Sequence, residues 1–201
     1  QNGDGCSATC VASVGYFQSK PGVSCSAVLT AAKAEGLSPK NGAYWIDPNG
    51  GATTDAYRVP CEFGIDGGGW TGVASFTSGG SNVWFYYDGN WTNDSVFGET
   101  DFGVIGGNAI DRKFKSFSTL GFKEVLFTNA DGQKYHVMHQ FLGDANKAYA
   151  SAKALFAAGN WIWANRKASA GGGMWDYSNW AINNVETVSD QCWNARVNVC
   201  K

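Results

Sequence analysis

Oxygen-bearing side chains are concentrated in residues 88–101, where Gly89 and Gly98 allow tight turns. Ca²⁺ in proteins takes six to eight oxygen ligands from carboxylates, amides and backbone carbonyls. We therefore expect a calcium site here, which would also explain how so polar a loop is ordered. The alternative is a solvated polar loop. The predicted metal ligands are Asp88, Asn90, Asn93, Asp94, Glu99 and Asp101.

Residues 174–186 combine aromatic rings with amide and carboxylate groups, which is the chemistry that saccharides need. Sugar C–H faces stack on rings, and sugar hydroxyls require hydrogen-bond partners. The alternative is that these tryptophans pack in the interior, because Trp is highly buried on average. The predicted carbohydrate-binding residues are Trp175, Asp176, Tyr177, Asn179, Trp180 and Asn183, and Asp176 and Glu186 are candidate ligands of a second calcium ion.

The chain contains six cysteines: Cys6, Cys10, Cys25, Cys61, Cys192 and Cys200. An even count, together with only 16% charged residues, favours disulfides and a secreted or cell-surface location. The residues alone leave about fifteen connectivities open. Zinc is the weaker interpretation, because no second close Cys/His pair completes a four-ligand set with Cys6 and Cys10.

Several function classes have little support in the composition and motifs. The net charge of −2 gives no reason to expect nucleic acid as a partner. No apolar stretch approaches the ~20 residues of a membrane-spanning helix. Neither a nucleophile elbow nor a phosphate-binding loop is recognisable, so we predict that the protein is not an enzyme. A glycosidase, which needs only two carboxylates, stays open as an alternative.

Turn and capping residues predict a chain of short strands with two helices. Ser24 or Ser26 can cap a helix over 27–35 that Gly36 ends, and Asp144 can cap a helix over 144–158. Alternating apolar residues bounded by turn signals predict the strands. They lie in the aromatic run before Asp47 and at 56–63, 71–76, 124–127, 134–141 and 195–200.

The N-terminal residues 1–20 look like an appendage to a main domain at 21–201. Residues 2–10 resemble the end of a Cys-rich, Asp/Asn/Gly-rich repeat of bacterial surface proteins, in which case Cys6 and Cys10 are predicted to pair with each other. The alternative is a polar leader that happens to hold two cysteines.

Uncommon strings in the first half resemble, in their order, the opening of a fibrinogen-related domain. They are Ser24-Cys25, GAYWIDPNG at 42–50, VPC at 59–61 and DGGGWT at 66–71. The YWIDPNG string is also similar to the collagen C-propeptide. Within the fibrinogen-related group, DGNWTNDSVFG at 88–98 resembles the calcium-stabilised loop of the intelectin branch. The resemblance implies a Cys25–Cys61 disulfide.

The same resemblance implies an α+β fold with a mixed, twisted sheet, few short helices and long calcium-ordered loops. Intelectins bind a sugar diol through calcium with Asn, His and Glu ligands around a Gly-rich run. Residues 165–170 before the present Gly run hold no His and no acid, so that site is not carried over intact.

The leading functional hypothesis is a calcium-dependent lectin that binds glycans on cell surfaces or extracellular polysaccharide. The alternative is a structural or adhesive module that binds a protein partner or self-associates as a homo-oligomer.

Overall fold

The computed structural model describes residues 13–75, 89–99, 111–128, 135–141, 148–157, 163–168 and 196–199. Within these ranges the fold is α+β, with short helices beside an antiparallel sheet. The helices are α1 (Cys25–Ala34), α2 (Ser116–Thr119) and α3 (Ala152–Ala157). The strands are β1 (Gly42–Ile46), β2 (Tyr57–Glu62), β3 (Trp70–Ser75), β4 (Arg112–Lys113), β5 (Val125–Thr128), β6 (Tyr135–Phe141), β7 (Trp163–Ala168) and β8 (Arg196–Val199).

The strand order is β1-β2-β3-β8-β5-β6-β7, and β4 pairs with β3 beside this path. Every pair between these named strands is antiparallel, whereas a mixed sheet was expected. Short connections join β1 to β2, β2 to β3 and β5 to β6, and antiparallel neighbours need no crossover helix between them. β8 joins the two halves, because Val199 is opposite Thr71 of β3 on one side and Val125 of β5 on the other.

Helix α1 begins after Ser24, one of the two predicted caps, and so starts two residues before the predicted helix over 27–35. Ser24 Oγ accepts a hydrogen bond from the Ala27 backbone N–H at 3.2 Å, and Gly36 follows the helix with φ of 72°. A disulfide joins Cys25 in α1 to Cys61 in β2. The two cysteines are 36 positions apart in the sequence. A disulfide that closes such a loop stabilises the folded state by roughly 2–4 kcal/mol.

Two apolar clusters form the described core. The first lies between α1, β1 and β2 and contains Cys25, Val28, Tyr44, Ile46, Val59 and Cys61. The second lies under β3, β5, α2 and α3 and contains Trp70, Val73, Ala74, Phe117, Leu120, Phe122, Val125, Leu126, Ala152 and Leu155. Trp70, fully buried, donates its indole N–H to the Ile65 carbonyl at 2.8 Å.

The predicted helix over 144–158 is wrong across residues 148–151. Tyr149 and Phe122 exchange two backbone hydrogen bonds of 2.9 and 3.0 Å, which hold the chain extended at this point. The helix starts only after Ser151, whose Oγ accepts from the Ala154 N–H at 3.1 Å. Residues 142–147 lie outside the described residues.

The described part of the predicted appendage, together with the adjoining Gly22, packs along the outer edge of β1. Trp45 N–H donates to the Gly15 carbonyl at 2.7 Å, and Gly22 N–H donates to the Trp45 carbonyl at 3.1 Å. Tyr16 packs edge-on against Tyr44. Residues 1–12 lie outside the described residues, so the division after residue 20 stays a prediction.

Candidate functional site

Two oxygen-rich turns of the described structure are candidates for binding a cation. We call them the 47–55 turn, which connects β1 to β2, and the 89–99 turn, which lies against β4 and α3. The second turn contains four of the predicted calcium ligands, whereas the first contains none of them.

The 89–99 turn begins with a short 3₁₀ helix, Gly89–Trp91. The Gly89 carbonyl accepts hydrogen bonds from the N–H groups of Thr92 at 3.0 Å and Asn93 at 2.9 Å. Asn93 Oδ1 accepts from the Ser95 N–H at 3.1 Å, which is an Asx-type turn. Local hydrogen bonds therefore give this segment a defined backbone.

Aromatic packing attaches the 89–99 turn to the core. The ring centroids of Trp91 and Phe156, which lies at the end of α3, are 4.5 Å apart. Phe156 in turn stacks on Phe117 of α2, with ring centroids 5.7 Å apart. Such pairs stabilise by about 0.5–1.5 kcal/mol beyond their burial. Trp91 thus acts as an internal anchor for the turn.

An ammonium group occupies the oxygen-rich side of the 89–99 turn. Lys113 is 0% exposed, and its Nζ donates to the Asn90 carbonyl at 2.6 Å, to the Asn93 carbonyl at 2.8 Å and to Asn93 Oδ1 at 2.8 Å. Its Nζ also lies 4.7 Å from the Phe117 ring centroid. The structure therefore brings the predicted ligands Asn90 and Asn93 together around a lysine cation.

The two described carboxylates of the predicted calcium loop contact other groups. Asp94 Oδ1 pairs with Lys153 Nζ at 2.5 Å, and this hydrogen bond holds the pKa of Asp94 below its usual range. Glu99 Oε1 accepts the Lys115 backbone N–H at 2.7 Å. Among the described residues no cluster of three or more His, Cys, Asp or Glu side chains could hold a metal ion.

The remaining predicted site residues lie outside the described residues. The calcium and carbohydrate assignments that depend on them stay predictions of the sequence. They are the metal candidates Asp88, Asp101, Asp176 and Glu186, the carbohydrate candidates Trp175, Tyr177, Asn179, Trp180 and Asn183, and the cysteines Cys6, Cys10, Cys192 and Cys200.

The 47–55 turn contains a carboxylate in an unusual setting. Asp47 is only 3% exposed, and its Oδ1 has no hydrogen-bond partner among the described residues. Its backbone is well held: the N–H donates to the Gly22 carbonyl at 2.7 Å, and the carbonyl accepts from Gly50 N–H at 3.2 Å. A buried carboxylate oxygen without a partner is costly, so it is a position where a cation would be stabilising.

Further oxygen atoms lie in the same turn. Asn49 Nδ2 donates to Asp55 Oδ2 at 3.0 Å, and this hydrogen bond is the main cause that lowers the pKa of Asp55. Lys115 Nζ donates to the Asp55 carbonyl at 3.2 Å, so its charge also favours the ionised carboxylate. Two carboxylates, an amide and the carbonyls of a Gly-rich turn are the ligand types that calcium takes.

The sequence carries a signal for this turn that does not appear among the predicted metal ligands. The residues Asp47, Asn49 and Asp55 are spaced within one turn that contains Gly50 and Gly51, both at positive φ. What the sequence could not reveal is that Asp47 is buried and that one of its oxygens is left without a described partner.

One family comparison bears on the identity of the domain. The family model of the fibrillar collagen C-terminal domain matches residues 12–105. These residues include α1, β1, β2, β3 and both oxygen-rich turns. No curated protein matches the chain.

This match corrects the assignment to fibrinogen-related and intelectin-like domains. The YWIDPNG string, which is similar to both groups, belongs to β1 and the 47–55 turn, and the matched family is the collagen one. The lectin function, the glycan partners and the intelectin-like keywords rested on the overturned resemblance and are wrong. No helix in the described part of the chain is long and apolar enough to cross a membrane.

Proposed function

We propose that the chain is a structural module that associates with further copies of itself. The observation that carries this proposal is the match of residues 12–105 to a domain of fibrillar collagens, which are proteins that form assemblies. A non-catalytic assembly role also accords with the chemistry of the described part, where Cys25 and Cys61 form a disulfide and are not free nucleophiles.

The segment that borders β1 supplies a first surface to test. Phe17 is 45% exposed and Val23 is 55% exposed, which is unusual for large apolar side chains in a segment whose backbone is firmly paired with β1. Apolar groups held on an ordered surface favour association, because burying them removes apolar area from water.

Sedimentation equilibrium over a wide concentration range tests the proposal. We expect the average mass to rise with concentration from the 21.4 kDa of one chain towards a multiple of it. The double variant Phe17→Ser/Val23→Ser should weaken association at least tenfold. Val96→Ser removes a similarly exposed apolar group (46%) from the 89–99 turn and is the matched control. A single-chain mass at every concentration would contradict self-association.

We place the module outside the cell. The Cys25–Cys61 disulfide supports this location, because such bonds persist in oxidising compartments. A mass increase after reduction and alkylation, measured on protein from the native source, would test whether the bond forms there. Alkylation of both cysteines without prior reduction would contradict it.

We also propose that calcium binds at the 47–55 turn. The support is the buried Asp47 oxygen described above, with Asn49 and Asp55 as the other side-chain candidates. Isothermal titration with Ca²⁺ should detect this site in the wild type. An absence of heat, together with an unchanged melting temperature in excess chelator, would remove calcium from the proposal without affecting self-association.

A further inference from the structure

We propose that the ammonium of Lys113 is the built-in cation of the 89–99 turn, so that this turn holds its shape without any divalent ion. The inference concerns the same oxygen-rich segment in which the sequence predicts calcium. It is independent of self-association and of calcium at the 47–55 turn.

The first step is the match between donors and acceptors. A lysine ammonium has three N–H donors in a compact, tetrahedral arrangement. Lys113 Nζ makes three hydrogen bonds of 2.6–2.8 Å to the Asn90 carbonyl, the Asn93 carbonyl and Asn93 Oδ1. Hydrogen bonds from a charged donor are short and roughly twice as strong as neutral ones. Such contacts offset the desolvation of a side chain that is 0% exposed.

The second step is that this ammonium and a calcium ion would compete for the same oxygens. Backbone carbonyls and an amide oxygen are ordinary calcium ligands. A divalent ion bound to these atoms would lie next to the positive charge of Lys113, in an environment where charges are poorly screened. Lys113 would therefore have to leave before the ion could enter.

The third step is that Lys113 has little freedom to leave. Its backbone exchanges hydrogen bonds of 2.9 and 3.1 Å with Phe97, and the next residue, Phe114, donates to the Val73 carbonyl at 3.0 Å. Lys113 itself pairs with Ala74 of β3. The lysine is thus fixed between the sheet and the turn, and its side chain ties the two together.

Hydrogen exchange measured by mass spectrometry on residues 89–99 provides the test. In Lys113→Met, which keeps the length of the side chain but removes its charge, we expect exchange of this segment to accelerate at least tenfold. Lys115→Met is the matched control, because Lys115 also donates to a backbone carbonyl but is exposed. In the wild type, excess chelator should accelerate exchange of residues 89–99 no more than it accelerates exchange of β3, so that a general loss of stability from the 47–55 turn is taken into account.

A rescue experiment separates the ammonium from general packing. Lys113→Ala leaves room for a small amine, so propylammonium should slow the exchange of residues 89–99 again. Tetramethylammonium has a charge but no N–H donor and should fail. Unchanged exchange in Lys113→Met, or chelator that accelerates residues 89–99 of the wild type more than β3, would overturn the proposal. If the variants lose protection everywhere, the chelator comparison on the wild type still decides between lysine and calcium.

Discussion

The 47–55 turn and the 89–99 turn are built from the same residue types but differ in what balances their oxygen atoms. In the 89–99 turn a buried lysine from β4 donates to two asparagine residues, Asn90 and Asn93. In the 47–55 turn a buried carboxylate oxygen of Asp47 has no described hydrogen-bond partner. Composition alone indicates that positive charge is needed near these oxygen atoms, but it does not show whether the chain itself supplies that charge.

The comparison shows that side chains of the protein itself can order a polar, glycine-containing loop. Trp91 anchors one end of the 89–99 turn on Phe156, and Lys113 neutralises its oxygen-rich side. The remaining described carboxylates, Asp94 and Glu99, contact Lys153 and the Lys115 backbone. Each candidate ligand in the described part of that turn is therefore engaged by the protein itself.

The largest difference between the turns should come from substituting one glycine in each. Gly98 and Gly50 share a φ of 67°, but a Cβ on Gly98 would lie 2.8 Å from the Asp111 carbonyl oxygen, whereas a Cβ on Gly50 would meet no atom within 4 Å. We expect Gly98→Ala to lower the free energy of unfolding by about 3 kcal/mol, and Gly50→Ala by only about 1 kcal/mol. Urea denaturation measures both, and equal losses would show that the close backbone approach at Gly98 is unimportant.

The next effect concerns the charge of Asp47. In the wild type, a calcium concentration 100 times the Kd should raise the free energy of unfolding by about 2.7 kcal/mol and raise the melting temperature accordingly. In Asp47→Asn, Ca²⁺ should no longer raise the melting temperature. Without calcium the variant should be at least as stable as the wild type, because a buried charge is removed. Calorimetry with and without chelator measures both states. A calcium response that survives in Asp47→Asn but disappears in Asp94→Asn would reverse the assignment of the two turns.

A smaller effect is expected at high pH from Tyr57, which lies next to the 47–55 turn. Burial raises the pKa of Tyr57 to about 12 from its ordinary value of 10, and its hydroxyl hydrogen-bonds to Thr119 Oγ1 at 2.6 Å. The folded state thus keeps the proton more tightly than the unfolded state. The contribution of the Tyr57 proton to the free energy of unfolding is therefore complete below pH 10 and is lost as the pH rises towards 12.

Urea denaturation of Tyr57→Phe at pH 8 and pH 11 measures this contribution. The variant should lose about 1 kcal/mol at pH 8 through the missing hydrogen bond, and its stability should then fall less steeply with pH than that of the wild type. Thr119→Ala breaks the same hydrogen bond but keeps the ionisable hydroxyl, so it should retain the steep fall. Parallel pH profiles for the wild type and Tyr57→Phe would contradict the raised pKa.

The smallest effect is expected for Asp94, whose partner Lys153 lowers its pKa. The carboxylate is 70% exposed, so the ion pair is well screened by solvent and salt. The contribution of the Asp94–Lys153 ion pair to stability is present at neutral pH and disappears as the pH falls through the lowered pKa of Asp94. Asp94→Asn should therefore change stability slightly at neutral pH and not at pH 2, which thermal melts at low and high salt can measure. A large loss at neutral pH in high salt would indicate a different role.

Turn chemistry made the first half of the fold predictable from the sequence. The strands around Pro48 and Gly67 were placed within one or two residues of β1, β2 and β3, because proline and glycine restrict where a strand can continue. Ser24 and Ser26 were the two predicted caps of the first helix, because a serine hydroxyl can accept a backbone N–H of the first turn, and the structure selects Ser24. The helix predicted over 144–158 is confirmed at Ala152–Ala157 and wrong at 148–151, because the sequence does not reveal that Tyr149 pairs with Phe122 and that Ser151 caps the helix instead.

The two turns were less predictable because their chemistry depends on contacts between distant residues. Lysine is almost never fully buried, so Lys113 gave no sign that it would enter the 89–99 turn. β4 and β7 were not predicted as strands at all, because neither shows a clear alternation in the sequence. Asp47 looks like an ordinary turn residue until the segment that contains Gly22 is placed against it.

The position of β8 has a consequence for how the protein matures. The strand at 196–199 fills the gap between β3 and β5, so the sheet remains two separate pieces, β1-β2-β3 with β4 and β5-β6-β7, until β8 has been synthesised. Pairings between residues so far apart in the chain are slow to form. During synthesis the facing edges of β3 and β5 are open to any other strand, including the same strand of a neighbouring chain. An exchange of β8 between chains would satisfy both edges, and deletion of residues 196–199 would leave both edges permanently unpaired by β8.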